Sequence, residues 1–390
     1  MNEPKLRFKA DDGSQFPDWE EKKLSDIFVE RREMQCIDDE YKLLSFTIEQ
    51  GVINPEDKKT NKRDFLMKDK VSKKFLRTEY DDIIYNPANL KYGAINRNKL
   101  GKGLLSPIYA IFYTEQNAVF MESVVRNPDF IKRSLKYLEG TVIKLMTLKP
   151  RDFLRIKSYI PSLPEQQKIA DFLSTIDTII EKQRATVSAW EERKKGVMQK
   201  LFSQEVRFKA DDGSDFPDWE EKRLEDVVEF LDEKRKPLEA GKRVAGKYPY
   251  YGASGIIDYV EDYIFDEELI LLSEDGANIL DRNYRVCFLA KGKYWVNNHA
   301  HVMKAKKGNL NYFICEELET FDYRKYNSGG AQPKLNQASC RSIVVKIPSL
   351  PEQQKIADFL SALDTVIQKQ KETLEKWQEL KKGLLQQMFV

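Results

Sequence analysis

Histidine and cysteine are scarce in this chain of 390 residues, which has two histidines and four cysteines. Cys36, Cys287, Cys315 and Cys340 have no paired spacing, so the sequence predicts reduced thiols and no disulfide framework. No apolar run is long enough to span a bilayer, and no N-terminal stretch suits a signal peptide. These features favour a cytoplasmic protein that does not enter a membrane.

Motifs for catalysis and cofactor binding are also missing. No phosphate-binding G-x-x-x-x-G-K-[ST] loop occurs, and Gly101-x-Gly103 alone is a weak signal for a cofactor loop. The stretch Asn-Pro-Ala-Asn at 86–89 has alanine where amino-methyltransferases have the second proline of Asn-Pro-Pro-aromatic. The acidic stretch at 17–22 is spaced too tightly for a nuclease site. We therefore predict a chain without catalytic residues, metal or cofactor of its own.

Neither sign of charge dominates the whole chain, since 65 Lys and Arg face 63 Asp and Glu, for a net charge of +2. The distribution is uneven, however. Residues 28–159 have 25 Lys and Arg against 18 Asp and Glu, whereas residues 228–346 have 18 against 17. A basic first module suits a polyanionic partner, and the second module gives no such signal by charge alone.

The chain does contain one segment twice. Residues 160–174 and residues 347–361 both have the sequence IPSLPEQQKIADFLS, and each begins a long helical pattern. A serine and the glutamate three positions later have the spacing of a capping box, in which the serine oxygen accepts a backbone N–H and the glutamate reaches back. We predict that the two helices are capped by Ser162 with Glu165 and by Ser349 with Glu352.

Both helical patterns have apolar positions that alternate in steps of four and three, which is a heptad seam. The obvious partner of each helix is its own copy. An antiparallel pair about a local two-fold places Gln183 opposite Lys381 and Lys194 opposite Gln370, whereas a parallel pair would stack the two lysines. The predicted seam consists of Ile176, Ile180, Gln183, Val187, Trp190, Lys194, Ile367, Gln370, Leu374, Trp377, Lys381 and Leu384.

A second repeat precedes each half, because residues 7–22 and residues 207–222 differ at a single position. The middles that these repeats enclose, residues 28–159 and 228–346, share little sequence. Nearly identical frames around dissimilar middles indicate that the frames set the geometry and that the middles do different jobs.

Each middle has the size and pattern of a mixed α/β domain. The fold class we predict is α+β: two mixed α/β domains separated by two long antiparallel coiled-coil helices, in a pseudo-two-fold tandem repeat. The predicted segments are a first domain with its lead-in at 1–159, a first helix at 160–202, a second domain with its lead-in at 203–346 and a second helix at 347–390. A helical pattern is predicted near 121–138 in the first domain.

These residues resemble the specificity subunit of type I restriction-modification enzymes along essentially the whole chain. The resemblance lies in the doubled LPEQQKIADFL helix, the Trp-Glu-Glu-Lys stretches at Trp19 and Trp219, and Leu-Ser-Pro-Ile-Tyr at 105–109. It extends to Asn-Asn-His-Ala-His at 297–301 and Gly-Ala-Gln-Pro-Lys at 330–334.

The resemblance implies a non-catalytic subunit of a restriction system that acts against foreign DNA. Each middle would be a target-recognition domain for one half of a bipartite site in double-stranded DNA. The helices would set the spacing and dock two methyltransferase subunits. Partner subunits, including restriction and translocase subunits, would carry the S-adenosylmethionine, ATP and Mg chemistry. A bivalent protein-binding scaffold is the alternative that charge content leaves open.

Candidate DNA contacts in the first middle form a basic tract and a loop. The tract is either a solvated face or a phosphate contact. It consists of Lys58, Lys59, Lys62 and Arg63, followed by Lys68, Lys70, Lys73, Lys74 and Arg77. The candidate base-contacting residues nearby are Asn89, Lys91, Tyr92 and Arg97.

Candidate contacts in the second middle lie on several separate stretches. His299 and His301 are expected on one face of a strand, where they are either satisfied structural histidines or DNA contacts; a metal site lacks further ligands. Asparagine amides have the geometry for adenine contacts but are also common turn formers. The candidates are Ser254, Asn278, Asn297, Asn298, His299, His301, Gln332 and Lys334.

Overall fold

The computed structural model of the chain describes residues 4–58, 73–139 and 146–389. The fold is α+β, and the chain divides into two compact units. The first unit is Met1–Arg184 with Glu372–Val390, and the second is Ala185–Lys371. Each unit thus combines one mixed α/β domain with a segment of each long helix. The predicted boundaries separate the helices from the domains, and they stay a prediction.

The first unit begins with a strand that pairs with the strand just before the first long helix. Its helices are α1 (Ala118–Arg126), α2 (Pro128–Ser134), α3 (Pro150–Phe153) and the start of α4 (Leu163–Phe202). Its strands are β1 (Glu20–Lys23), β2 (Phe28–Glu30), β3 (Met34–Gln35), β4 (Ser45–Thr47), β5 (Gly51–Ile53), β6 (Phe75–Thr78), β7 (Ile83–Tyr85), β8 (Ile95–Arg97), β9 (Gly103–Leu105), β10 (Ala110–Thr114) and β11 (Lys157–Ile160).

The second unit also begins with a strand that pairs with the strand just before a long helix. Its helices are α5 (Leu224–Val227), α6 (Asn278–Asp281), α7 (Asn311–Glu319), α8 (Gln337–Arg341), residues 185–202 of α4 and residues 350–371 of α9 (Leu350–Met388). Its strands are β12 (Glu220–Arg223), β13 (Val228–Phe230), β14 (Ala245–Gly252), β15 (Gly255–Val260), β16 (Phe265–Asp266), β17 (Leu269–Ser273), β18 (Cys287–Ala290), β19 (Lys293–Val296), β20 (Ala300–Ala305) and β21 (Val344–Ile347). None of the helices that the structure describes is long and apolar enough to cross a membrane.

The central sheets of the two units have the same topology, although their sequences differ. The first is four-stranded with the order β2-β10-β7-β8, and the second is four-stranded with the order β13-β20-β17-β18. All neighbours in both sheets are antiparallel. The additional strands differ: the first unit has the sheets β3-β6-β9 and β4-β5, and the second has β15-β14-β19-β16. Dissimilar middles therefore share a scaffold and differ in what is attached to it.

An equivalent helix packs on the same aromatic residue in each unit. Phe120 of α1 makes an edge contact with Trp19 at 5.9 Å between ring centroids, and Phe313 of α7 makes one with Trp219 at 5.7 Å. Both phenylalanines are fully buried. Because burying an aromatic side chain removes much apolar surface from water, these contacts stabilise the attachment of each domain to its lead-in.

The helical pattern predicted near 121–138 is present as two helices. Helix α1 ends at Arg126, and α2 begins at Pro128 with the Asn127 side chain accepting the Asp129 N–H at 2.8 Å. Proline cannot donate to the preceding turn and suits the first helical position, so Asn-Pro ends one helix and begins another.

The capping boxes predicted for the long helices are wrong. The Oγ atoms of Ser162 and Ser349 are buried and have no hydrogen-bond partner among the described residues. Each glutamate instead binds an arginine of its lead-in. Arg7 binds Glu165 through Nε and Nη2 at 3.0 and 2.9 Å, and Arg207 binds Glu352 at 3.0 and 2.8 Å.

The glutamine after each glutamate anchors the domain helix. The Gln166 side chain donates to the Pro161 carbonyl at 2.9 Å and accepts the Asn117 N–H, at the start of α1, at 3.1 Å. Gln353 repeats this arrangement with the Pro348 carbonyl at 3.0 Å and the Leu310 N–H at 3.0 Å. The repeated Glu-Gln pair therefore joins each long helix to both the lead-in and the domain.

The two long helices run antiparallel within each unit. In the second unit Lys194 binds Asp364 at 2.7 Å and Lys371 binds Glu191 at 2.7 Å, so positions advance along one helix as they decrease along the other. In the first unit Lys381 binds Asp177. Every predicted seam position is buried or half-buried. The register that pairs Lys194 with Gln370 stays a prediction.

Candidate nucleic-acid interface

The candidate loops of the second unit meet at one edge of its central sheet. Strand β17 ends at Ser273 opposite Ala300, where β20 begins. The Ser273 hydroxyl donates to the Ala253 carbonyl in the turn between β14 and β15. The Asn297 N–H donates to the Tyr251 carbonyl at 3.0 Å. Stretches that the sequence analysis chose separately thus come together in the fold.

The stretch at 328–335 joins the same edge. The Glu274 N–H donates to the His299 carbonyl at 2.9 Å, and the Leu335 N–H donates to the Glu274 carbonyl at 2.7 Å. Asp275 pairs with Lys334 in an isolated antiparallel bridge. We call the stretches 252–255, 274–278, 297–299 and 328–335 the second loop edge.

Several predicted contact residues are exposed on the second loop edge. His299 lies in a turn and not on the strand as expected, and its Nδ1 is 2.7 Å from the Asp275 carboxylate. The Lys334 ammonium lies 3.4 Å from Glu274. The exposed candidates are Ser254, Asn298, His299, Gln332 and Lys334.

Asn297 and Asn278 shape the loops from within. Asn297 is buried, and its side-chain oxygen accepts the His299 N–H at 2.8 Å. Asn278 closes the loop after α6, because its amide donates to the Tyr284 carbonyl at 3.1 Å and accepts the Tyr284 N–H at 2.9 Å. Both side chains therefore fix the backbone conformation of their loops.

His301 is a buried structural cation and is 1% exposed. Its Nδ1 is 2.7 Å from the Asp232 carboxylate and its Nε2 is 2.8 Å from the Leu335 carbonyl, so both ring nitrogens face acceptors and both must donate. Burial opposes protonation, but the hydrogen bonds with Asp232 and Cys340 outweigh it and raise the pKa of His301 to about 10. The imidazolium holds 328–335 against β20.

Asp232, Arg235 and Glu274 support the second loop edge, and the sequence analysis missed them. The Arg235 guanidinium donates to Glu274 at 2.7 Å and to the Ala300 carbonyl at 2.9 Å. Asp232 also accepts the Val302 N–H at 2.8 Å. No local pattern marks these residues, because their partners are distant in sequence.

The first unit has an equivalent edge at the end of β7 and the start of β10. Phe28 pairs with Thr114 as Val228 pairs with Ala305, so this register puts Ile108 at the position of His299. Ile108 is 60% exposed and Tyr92 is 64% exposed. We call the stretches 86–93 and 106–109 the first loop edge. Its residues differ in chemistry from those of the second loop edge.

The predicted contacts of the first unit are only partly at this edge. Asn89 is exposed and precedes the single turn Leu90–Tyr92, and the Lys91 ammonium lies 5.2 Å from the centre of the Tyr92 ring. Arg97 is mostly buried and binds Glu122 at 3.2 Å and Asp81.

The basic tract is described at both of its ends. Lys73 and Lys74 are exposed, and Arg77 binds Glu33 at 2.9 Å, whereas Lys68 and Lys70 lie outside the described residues. Lys58 is half-buried and follows the turn Pro55–Asp57. Lys59, Lys62 and Arg63 lie outside the described residues. Within the described ranges, no group of His, Cys, Asp and Glu has the arrangement of a metal site.

The chain is similar in sequence to proteins of type I restriction systems. Residues 217–376 match the family model of the type I restriction modification DNA specificity domain. A putative type I restriction enzyme specificity subunit of Haemophilus influenzae is 38% identical over 142 residues, which is 36% of each protein. The specificity subunit of the type I restriction enzyme MjaVIII of Methanocaldococcus jannaschii is 26% identical over 357 residues, covering 80% of this chain and 81% of that protein.

A solved structure has a similar fold over the full length. The crystal structure of a type I restriction-modification system S subunit from M. genitalium aligns with a TM-score of 0.58 at 15% identity, covering 100% of this chain and 99% of that one. At this identity the similarity concerns the fold.

Proposed function

We propose that this chain is a specificity subunit of a type I restriction-modification system and that it recognises a bipartite site in double-stranded DNA. The first loop edge contacts one half-site and the second loop edge contacts the other. The paired helices set the gap and dock two methyltransferase subunits. Methylation, translocation and cleavage, with their S-adenosylmethionine, ATP and Mg, belong to partner subunits in the cytoplasm.

The observation that carries this proposal is the shared strand order of the two central sheets, β2-β10-β7-β8 and β13-β20-β17-β18, with different residues at equivalent loops. A bipartite site requires two surfaces that approach DNA in the same manner but contact different bases. Equivalent loops with unlike side chains meet both requirements, since base edges are distinguished by hydrogen-bond and methyl patterns in the major groove.

The exposed side chains of the second loop edge suit such contacts. The amides of Asn298 and Gln332 can donate to and accept from adenine, and Lys334 can bind phosphate. In the first unit, Asn89 offers an amide and Lys58 a cation. Arg97, which is held by two carboxylates, contributes to DNA contact only if it leaves these partners.

The test is to map methylated adenines in cells that express the complete system, before and after residues 28–159 are exchanged for the equivalent domain of another specificity subunit. We expect the exchange to change one half-site and to leave the other half-site and the gap unchanged. Loss of both half-sites, or methylation without sequence preference, would contradict the proposal. Purified complexes that never contain or bind nucleic acid would instead favour a protein-binding scaffold.

Single substitutions test the loop edges. Gln332→Ala in the full complex should weaken binding to the wild-type site by about 1–3 kcal/mol if the amide contacts a base. The loss should be confined to one position of one half-site in a competition assay with all four bases at each position. Asn89→Ala is the matched change for the other half-site. Equal weakening against every sequence would identify Gln332 as a backbone contact.

A further inference from the structure

A partly buried ionic network joins the second domain to both long helices. The Lys194 ammonium on α4 lies 2.7 Å from Asp364 on α9 and 3.1 Å from Glu316 on α7. The Lys194 and Glu316 side chains are only 8% and 4% exposed, whereas those of Asp364 and Arg285 are 41% and 39% exposed. Arg285 binds the other side of Glu316 at 2.7 Å. We call Lys194, Asp364, Glu316, Arg285 and Tyr312 the Lys194 network.

Tyr312 completes the network from the domain side. Its hydroxyl donates to Asp364 at 2.5 Å. Burial and this hydrogen bond raise the pKa of Tyr312, so the hydroxyl keeps its proton and remains a donor. One lysine on one long helix and one aspartate on the other are therefore both bound to side chains of α7, a helix of the recognition domain.

The first unit repeats the lysine and the aspartate but not the domain residues. In the repeat, Lys381 of α9 is equivalent to Lys194 of α4, and Asp177 of α4 is equivalent to Asp364 of α9. Lys381 and Asp177 also form an ion pair. Helix α1 is equivalent to α7, since Phe120 and Phe313 make the same contact with Trp19 and Trp219.

This alignment of α1 with α7 puts Val119 at the position of Tyr312 and Ser123 at that of Glu316. The Ser123 hydroxyl donates to the Val119 carbonyl of its own helix at 3.1 Å. A valine and a serine supply no carboxylate or phenol to the ion pair. The Lys381 side chain is also more exposed than that of Lys194, at 30% against 8%.

We propose that Lys194 is a positioning residue that fixes the orientation of the second recognition domain on the helix pair, and that the described residues of the first domain offer no such ionic attachment at Val119 and Ser123. This inference rests on the proposed function. Changing the gap by one base pair moves a half-site by about 3.4 Å and turns it by about one tenth of a helical turn. A domain held by the Lys194 network resists this displacement, whereas a domain without such a network can move with its half-site.

The test uses the full chain in complex with its methyltransferase subunits. The probes are duplexes with the mapped wild-type half-sites and a gap of the native length, or one base pair shorter or longer. The measured quantity is the ratio of affinities for the native and altered gaps. We expect Lys194→Met to lower this ratio about tenfold, equivalent to about 1.4 kcal/mol. Lys194→Arg should restore it, because the guanidinium keeps both ion pairs.

Lys381→Met is the matched control, since it removes the equivalent seam lysine in the first unit. It should leave the ratio unchanged. Because Lys194→Met leaves Asp364 without its cation, a second, charge-balanced variant combines it with Asp364→Asn, and Glu316 keeps Arg285 as its partner. This charge-balanced variant should retain folding and still lose the gap preference. Amide hydrogen exchange should accelerate in Asn311–Glu319 of this variant.

The outcomes separate the inference from the proposed function. A wild-type complex with a sharp gap preference that Lys194→Met and the charge-balanced variant both retain would overturn the inference alone. An equal loss in Lys194→Met and Lys381→Met would also overturn it, because the effect would then come from the helix pair. A wild-type complex without any preferred duplex would overturn the proposed function, and the inference with it.

Discussion

Glu317 lies on α7 with its carboxylate enclosed by the second unit. One oxygen accepts the Lys346 N–H at 2.6 Å, and the other has no hydrogen-bond partner among the described residues. Burial disfavours the ionised form and raises the pKa of Glu317 from 4.5 to about 8. The unfolded chain therefore releases this proton at lower pH than the folded chain does. Between these two values, each rise in pH lowers the free energy of unfolding.

Glu317→Gln should remove this dependence, because the amide is neutral at every pH and can still accept the Lys346 N–H. We expect the variant to gain stability over the wild type as pH rises, by about 1.4 kcal/mol per pH unit within the window. Thermal unfolding of both proteins at about pH 5 and about pH 8 measures the change. Glu379→Gln, on the exposed face of α9, is the control. A difference that is constant with pH would contradict the assignment.

The two histidines show how far single residues could be interpreted from sequence. His299 and His301 are two positions apart, yet one is exposed and the other buried. The role of His301 depends on Asp232, which is 69 positions away. Local spacing does not indicate a partner so distant in sequence, so the sequence alone is compatible with structural and DNA-contacting roles for both histidines.

Among the elements, the repeated helix starts were only partly predictable. The helices begin directly after Ser162 and Ser349, where the pattern places them, but the expected partners were wrong. Glu165 and Glu352 each bind a side chain that the local sequence does not reveal. Each meets an arginine well over a hundred residues earlier in the chain, and a bidentate charged pair outcompetes a neutral cap.

These arginines give a prediction for the stability of each unit. Arg7→Met should destabilise the first unit by about 3–5 kcal/mol, since Glu165 is fully buried and would be left unpaired. Arg207→Met should cost less, because the Trp219 indole N–H still donates to Glu352 at 3.1 Å. The equivalent Trp19 N–H has no partner among the described residues.

Chemical denaturation followed at each domain measures both losses. The double variants Arg7→Met with Glu165→Gln, and Arg207→Met with Glu352→Gln, should recover much of the stability because no buried charge remains. If Arg207→Met were the more damaging single change, the indole contact would have no compensating value.

At the scale of the molecule, the sequence predicted the repeat and the paired helices but not the common topology of the middles. Sheet order depends on which distant strands pair, and little shared sequence links the two domains. The frames were recognisable because they repeat almost letter for letter. Equivalent loops became recognisable only when the β2–β10 and β13–β20 registers aligned them.

The proposed role of the helices in setting the gap gives a prediction at this scale. Inserting one heptad into each long helix keeps the seam in phase and adds about 10 Å of length. We expect the recognised gap to grow by about three base pairs, at 3.4 Å per base pair, with both half-sites unchanged. Methylation mapping in cells measures the new gap. The control has the same number of residues inserted into the exposed turn at Lys291-Gly292. An unaltered gap in the helix variant would contradict the proposal that the helices set the gap.

The pairing of β1 with β11, and of β12 with β21, means that each domain leaves the frame where it enters it. Lys23 stands opposite Lys157, and Arg223 stands opposite Val344. Opposed positions on antiparallel strands are about 5 Å apart, a distance that a two-residue turn can close. Each domain is thus inserted between two adjacent strands, and one domain can be exchanged, in evolution or by engineering, without changing the helix pair.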